Sequence, residues 1–118
     1  MTKLMVLSVV AALLLVHVKP SKGGIVPPIC KTDWYDRDNP DGQGDYEDLR
    51  HLRREYPGQI CPNPSRIEAV TVIGNIPAED TGRIFKAYNT EVGFICRNED
   101  QQFGRCKDYK VRFTCPCP

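Results

Sequence analysis

Six carboxylates, Asp36, Asp38, Asp41, Asp45, Glu47 and Asp48, fall within 13 residues of a 118-residue chain. Carboxylates this crowded repel one another unless a cation or basic side chains neutralise them. Hard oxygen donors on a loop carrying Pro40, Gly42 and Gly44 suit Ca²⁺, which takes about six to eight oxygens. The EF-hand frame fails here. Asp36 and Asp38 can stand at loop positions 1 and 3 and Glu47 at position 12, but Pro40 takes position 5 and Asp41 the place reserved for glycine. No helical pattern precedes the loop. A different calcium loop is one reading. A solvated acidic turn and helix cap, balanced by Arg37, Arg50 and Arg53, is the other.

Other chemistries find few candidates. The chain has two histidines, and His17 lies in an apolar run near the start, leaving His51. One histidine among arginines supplies no base for a Ser-His-Asp or Cys-His system. A carboxylate pair could serve a glycosidase, but a domain this small offers little cleft. The chain is read as non-enzymatic. Trp34, the single tryptophan, is expected to be a core or disulfide-covering aromatic, since large aromatics dominate small cores. Asn63-Pro64-Ser65 carries proline at the position that forbids N-glycosylation.

The first residues are expected to be a signal peptide, residues 1–23. Lys3 is followed by an apolar run from Leu4 to Val18, too short for a comfortable membrane span, and Ser21 and Gly23 suit a cleavage site. Lys3, Lys19 and Lys22 leave with it, so 13 basic residues remain against 15 acidic ones, a net of −2 over 95 residues. That balance gives no field to draw nucleic acid or a membrane surface. A domain of this size has a modest core and benefits from staples. All six cysteines, Cys30, Cys61, Cys96, Cys106, Cys115 and Cys117, follow the signal segment. An even count in a small exported domain reads as a disulfide framework. A zinc site is the weaker reading, because no C-x-x-C pair occurs.

The fold class is mainly β: a small antiparallel domain, stapled by disulfides, with one short α-helix. Residues 24–29 are a Pro/Gly-rich lead-in. Residues 45–56 are predicted to be the helix, with Tyr46, Leu49, Leu52 and Tyr56 on one stripe, acids at its start, arginines near its end, and Pro57-Gly58 as its stop. Strands are predicted at Ile67–Ile73, Arg83–Tyr88, Val92–Cys96 and Tyr109–Cys115. The last alternates cleanly, with Tyr109, Val111 and Phe113 on one face and Lys110, Arg112 and Thr114 on the other. The polar stretch 97–105, with Gly104, resembles a hairpin loop. Cys96 and Cys106 are the locally favoured pair. Cys115 and Cys117 share a strand face, so they are expected to reach Cys30 and Cys61, in an order the sequence leaves open.

Five blocks in order, C-K-T-D-W-Y-D-R-D-N-P, G-D-Y-E-D-L, G-Q-I-C-P-N-P, G-F-I-C-R-N-E-D-Q-Q and C-K-D-Y-K-V-R-F-T-C-P, resemble the WxxW module. This module, also called the CysD domain, occurs in gel-forming mucins and in cartilage intermediate layer protein, and the chain is more similar to the cartilage type. The resemblance covers residues 30–117. It implies a compact β-rich domain without catalytic activity, belonging to a secreted, extracellular matrix or mucus setting. The mucin version is similar in having a calcium site near its acidic loop, which makes Asp36, Asp38, Asp45 and Glu47 the calcium candidates here. Two departures stand out. Lys31 occupies the place of the first tryptophan of W-x-x-W, so Trp34 alone remains and C-mannosylation is not expected. No cysteine lies between Cys61 and Cys96, where Ala69 stands instead of an extra one. The expected partners are matrix or mucus proteins, or a second copy in a homodimer, with Ca²⁺ as the stabilising cofactor. The alternative is a secreted regulatory ligand, protease inhibitor or defence-type protein.

Overall fold

A computed structural model describes residues 27–118. The expected signal segment and residues 24–26 of the lead-in lie outside the described residues. The element order is β1 (Ile29–Lys31), β2 (Gly44–Asp48), α1 (Leu49–Glu55), β3 (Arg66–Thr71), a 3₁₀ turn (Ala78–Asp80), β4 (Ala87–Asn89), β5 (Gly93–Arg97), a second 3₁₀ turn (Asn98–Asp100) and β6 (Tyr109–Pro116). They form two antiparallel three-stranded sheets, ordered β1-β6-β3 and β2-β5-β4. The mainly β class with one short helix and three disulfides is therefore what the chain adopts.

Strand β6 is the spine of the first sheet. It pairs with β1 through Cys30↔Cys115 and with β3 through Glu68↔Arg112 and Ala69↔Val111. Its period-two pattern drives Tyr109, Val111 and Phe113 inward, each fully buried. They meet Leu49 and Leu52 from α1 and Phe94 from β5. Phe85, Tyr88, Phe94 and Tyr109 form an aromatic cluster with ring centroids 4.7–5.9 Å apart, mostly tilted or edge-on. Such pairs add to area burial. The cluster also bridges the two sheets, since Tyr109 lies in β6 and Phe94 in β5.

The helix is shorter than the stripe predicts. Residues 45–48 are not its first turn but the end of β2, paired with β5 from Gly44↔Arg97 to Asp48↔Gly93. Asp48 then caps α1: its Oδ2 accepts from the His51 N–H at 3.4 Å. The close strand pairing requires glycines. A Cβ on Gly93 would lie 2.7 Å from the Leu49 nitrogen, and one on Gly44 would lie 2.0 Å from the Cys96 carbonyl oxygen.

Other boundaries move too. Residues 97–105 do not form a hairpin loop, because β5 and β6 belong to different sheets. Of the expected strand 83–88, only Ala87 and Tyr88 are paired. Residues 29–31, in part assigned to the lead-in, are a sheet edge. The expected strand 67–73 runs instead from Arg66 to Thr71. Beyond it the chain turns through Gly74 and Asn75, both at positive φ.

The disulfides join Cys30 to Cys117, Cys61 to Cys115 and Cys96 to Cys106, with Cα separations of 4.8, 5.9 and 5.9 Å. The local pair is the expected one, and the structure supplies the order that the sequence left open. Each bridge stabilises by roughly 2–4 kcal/mol, in large part through the unfolded chain.

Candidate functional site

The chain between β1 and β2 runs back against β6. Tyr35 makes a two-way bridge to Val111: the Tyr35 N–H donates to the Val111 carbonyl at 2.7 Å, and the Val111 N–H donates back at 2.9 Å. Tyr35 is 3% exposed. Alternation about that bridge sends Trp34 the other way, so Trp34 is not a core residue. It is half-buried on the outer face of the first sheet. There Arg112 and Lys110 lie over its ring at 4.3 and 5.3 Å. The core aromatic of the motif is Tyr35.

Past Tyr35, the loop folds onto the acidic residues of β2. Asp45 and Glu47 point the same way, and both are fully buried. Glu47 organises the loop: its two carboxylate oxygens accept the Arg37 and Asp38 backbone N–H groups at 2.9 and 3.0 Å. Asp38 answers from the loop side, its Oδ2 accepting the Tyr46 N–H at 2.9 Å. Arg37 donates from Nε to Glu55 at 2.8 Å and through its guanidinium to the Tyr46 carbonyl. Asp45 reaches across to the other sheet, where its Oδ2 accepts the Tyr109 N–H at 2.6 Å.

Asp108, just before β6, joins this group, although the sequence did not single it out. Its carboxyl lies against that of Asp36, and its charge acts on Asp45. Asp45 Oδ1 and Asp108 Oδ1 are both buried without a hydrogen-bond partner. Burial raises Asp45 and Glu47 far above the usual carboxylate range, against the N–H groups that favour their charged forms, and neighbouring acids raise both further. Burial and the charge of Asp36 push Asp108 up to about 6. Asp36 itself is exposed and raised, first by desolvation.

The four calcium candidates are thus brought to one region, in unequal roles. Asp38 and Glu47 already accept backbone N–H groups. Asp45 has a free oxygen, and Asp36 stands at the mouth beside Asp108. Among the described residues no three ligating side chains form a ready cage. Asp45 Oδ1 and Asp108 Oδ1 are hard oxygen donors of the type Ca²⁺ takes, and a cation there would need carbonyls and water to complete its shell. The missed residue carried a weak signal. Asp108 precedes the alternating strand and pairs in space with residues some seventy positions earlier. His51 has a structural role, with Nδ1 2.8 Å from Asp48 at the helix cap.

Fold and centre together define a small disulfide-stapled β module whose polar centre ties one loop to both sheets. Residues 31–115 match the family described as the Mucin-2 protein WxxW repeating region, and the chain belongs to that family. Cartilage intermediate layer protein 2 of Mus musculus is 42% identical over 87 residues, covering 72% of this chain and 7% of that protein. Human mucin-2 is 35% identical over 99 residues, covering 78% of this chain and 2% of the mucin. Mouse cell migration-inducing and hyaluronan-binding protein is 35% identical over 88 residues, covering 74% of this chain and 6% of that protein. The chain spans less than a tenth of the length of these relatives.

Proposed function

We propose that this protein is a secreted, non-enzymatic extracellular module that works by protein–protein contact in a matrix or mucus setting, with Ca²⁺ holding its acidic centre. The observation that carries this reading is the coincidence of the family match, residues 31–115, with the whole folded unit. The relatives that share it are mucins and cartilage intermediate layer proteins.

The cation supplies charge neutralisation and a fixed point between the loop and β6. Asp45 Oδ1 and Asp108 Oδ1 are its first candidates, with Asp36 next to them. Asp38 and Glu47 hold the loop backbone in the shape that brings these oxygens near.

For the contact surface, the reading favours a second copy docking at the turn after β3. Ile73 and Ile76 are 88% and 46% exposed there and line an open groove of about 280 Å³ beside Asp108. Large exposed isoleucines next to the charged centre make association sensitive to the cation. Sedimentation velocity with Ca²⁺ and with EDTA tests this. A Ca²⁺-dependent dimer weakened by Ile73→Ser is the expected result. A monomer at all concentrations under both conditions overturns self-association.

A further inference from the structure

The outer face of the β1-β6-β3 sheet carries its charges in rows. Register places Lys31, Thr114 and Arg66 side by side across the three strands. Arg112 and Glu68 form the next row, and Lys110 follows on β6. Lys31 and Arg66 are therefore two strand spacings apart at the backbone, about 9–10 Å. Four cations stand against one carboxylate on this face of a domain whose net charge is −2.

Three of these cations, Lys31, Arg112 and Lys110, are held in place. Glu68 takes a two-pronged pair from Arg112, with both contacts at 3.1 Å, and Lys31 approaches it at 3.2 Å. Trp34 lies under Arg112 and Lys110 and fixes both heads against one ring. Arg66 is exposed and makes no ion pair with a described residue. Thr114, central in its row, is 3% exposed, and its Oγ1 has no hydrogen-bond partner. A face with ordered, spaced cations has already lost the side-chain freedom that binding would cost. Acids flank the face on its sides: Asp36 and Asp108 past the Lys110 end, Glu79 in the groove along the β3 edge beside Arg66 and Glu68, and the exposed Asp33 two residues from Lys31.

We infer that this face binds a linear acidic polysaccharide laid across the strands along the Lys31–Thr114–Arg66 row. Charge complementarity selects the occupant. An extended polymer bearing carboxylate or sulfate groups meets Lys31, Arg66, Lys110 and the outer edge of Arg112, while Glu68 opposes it and keeps the affinity modest. The binding is electrostatic at its rim and weakens with salt.

The test uses hyaluronan and heparin oligosaccharides against the purified folded chain at low and physiological salt, by titration calorimetry. A short DNA duplex serves as a polyanion of another class. Binding of either glycan in preference to DNA is expected, and the two arms tell carboxylate from sulfate recognition. Arg66→Glu with Lys110→Glu should weaken that binding about tenfold or more, while Glu68→Gln should tighten it. Arg50→Glu with Arg54→Glu, on exposed positions of α1, should leave it unchanged. Melting curves confirm that each variant folds. If the double reversal on the sheet melts early, Arg66→Gln alone is read instead. No binding of either glycan at low salt, equal binding of DNA, or equal loss from the α1 variant overturns the inference.

Discussion

Glu68 and Glu47 are the same side chain in opposite surroundings. Glu68 sits on the open face of the first sheet between Arg112 and Lys31, and the Arg112 hydrogen bonds hold it below the usual carboxylate range. Glu47 is fully buried between the sheets, and desolvation drives it far above that range although two N–H groups bind it. On the outer face each acid has its cation within the chain. In the centre Asp45, Glu47 and Asp108 gather with two orphan oxygens, and the cation beside them, Arg37, gives its side-chain hydrogen bonds to Glu55 and the Tyr46 carbonyl rather than to these acids. The surface region is electrostatically complete. The interior one is short of positive charge, and burial makes its carboxyls hold their protons at pH values where Glu68 is already ionised.

The largest test of this contrast is to delete each glutamate. Glu47→Ala leaves two loop N–H groups without their acceptor and opens a hole, and should cost about 3–5 kcal/mol in chemical denaturation. Glu68→Ala loses a half-exposed pair and should cost about 1 kcal/mol or less. Equal costs would erase the distinction.

Calcium comes next. At a hundredfold excess over its dissociation constant a bound cation stabilises by about 2.7 kcal/mol. A domain this small then gains roughly ten degrees or more in melting temperature. Scanning calorimetry with Ca²⁺ and EDTA reads the difference. Asp45→Asn should remove it, and Glu68→Gln should not.

The pH response is smaller and has a definite sign. Asp108 is raised from 3.8 to about 6, so the folded state holds its proton more tightly than the unfolded chain does. Its contribution is full below about pH 4 and is lost as pH rises through about 6. The buried pair Asp45 and Glu47 extends that fall to higher pH. Metal-free protein should therefore melt at falling temperatures from pH 4 upward, whereas saturating Ca²⁺ should flatten or reverse the slope. The smallest effect is on Glu68 itself. Its lowered value adds slight stability above the normal carboxylate range, lost as pH falls below it, and Glu68→Gln should leave the metal-free pH profile nearly unchanged.

What the sequence made legible was local. The alternation of Tyr109, Val111 and Phe113 marks β6 because one face of that strand is core and the other solvent. Cys96 and Cys106 could be paired because their loop closes on itself. Residues 45–48 could not be assigned correctly, since acids before arginines look like a dipole-matched helix start. A partner strand nearly fifty residues later pulls them into a sheet instead. The burial of Asp45 depends on the Tyr109 N–H, 64 residues away. Nor does adjacency tell Trp34 from Tyr35. Only the bridge to Val111 decides which of the two rings turns inward. The acidic cluster could be seen from composition, but for Asp108, its member from the far end of the chain, the place just before β6 was the one weak sign.

The Cys30–Cys117 bridge brings the two ends of the folded unit to within 4.8 Å between Cα atoms. Any chain running on from both ends would leave from adjacent points. Tension along such a chain would pass through that one covalent link, and the sheets, the aromatic cluster and the acidic centre would hang beside the load path rather than within it. In a stretched polymer the module would be a pendant that keeps its shape under pulling.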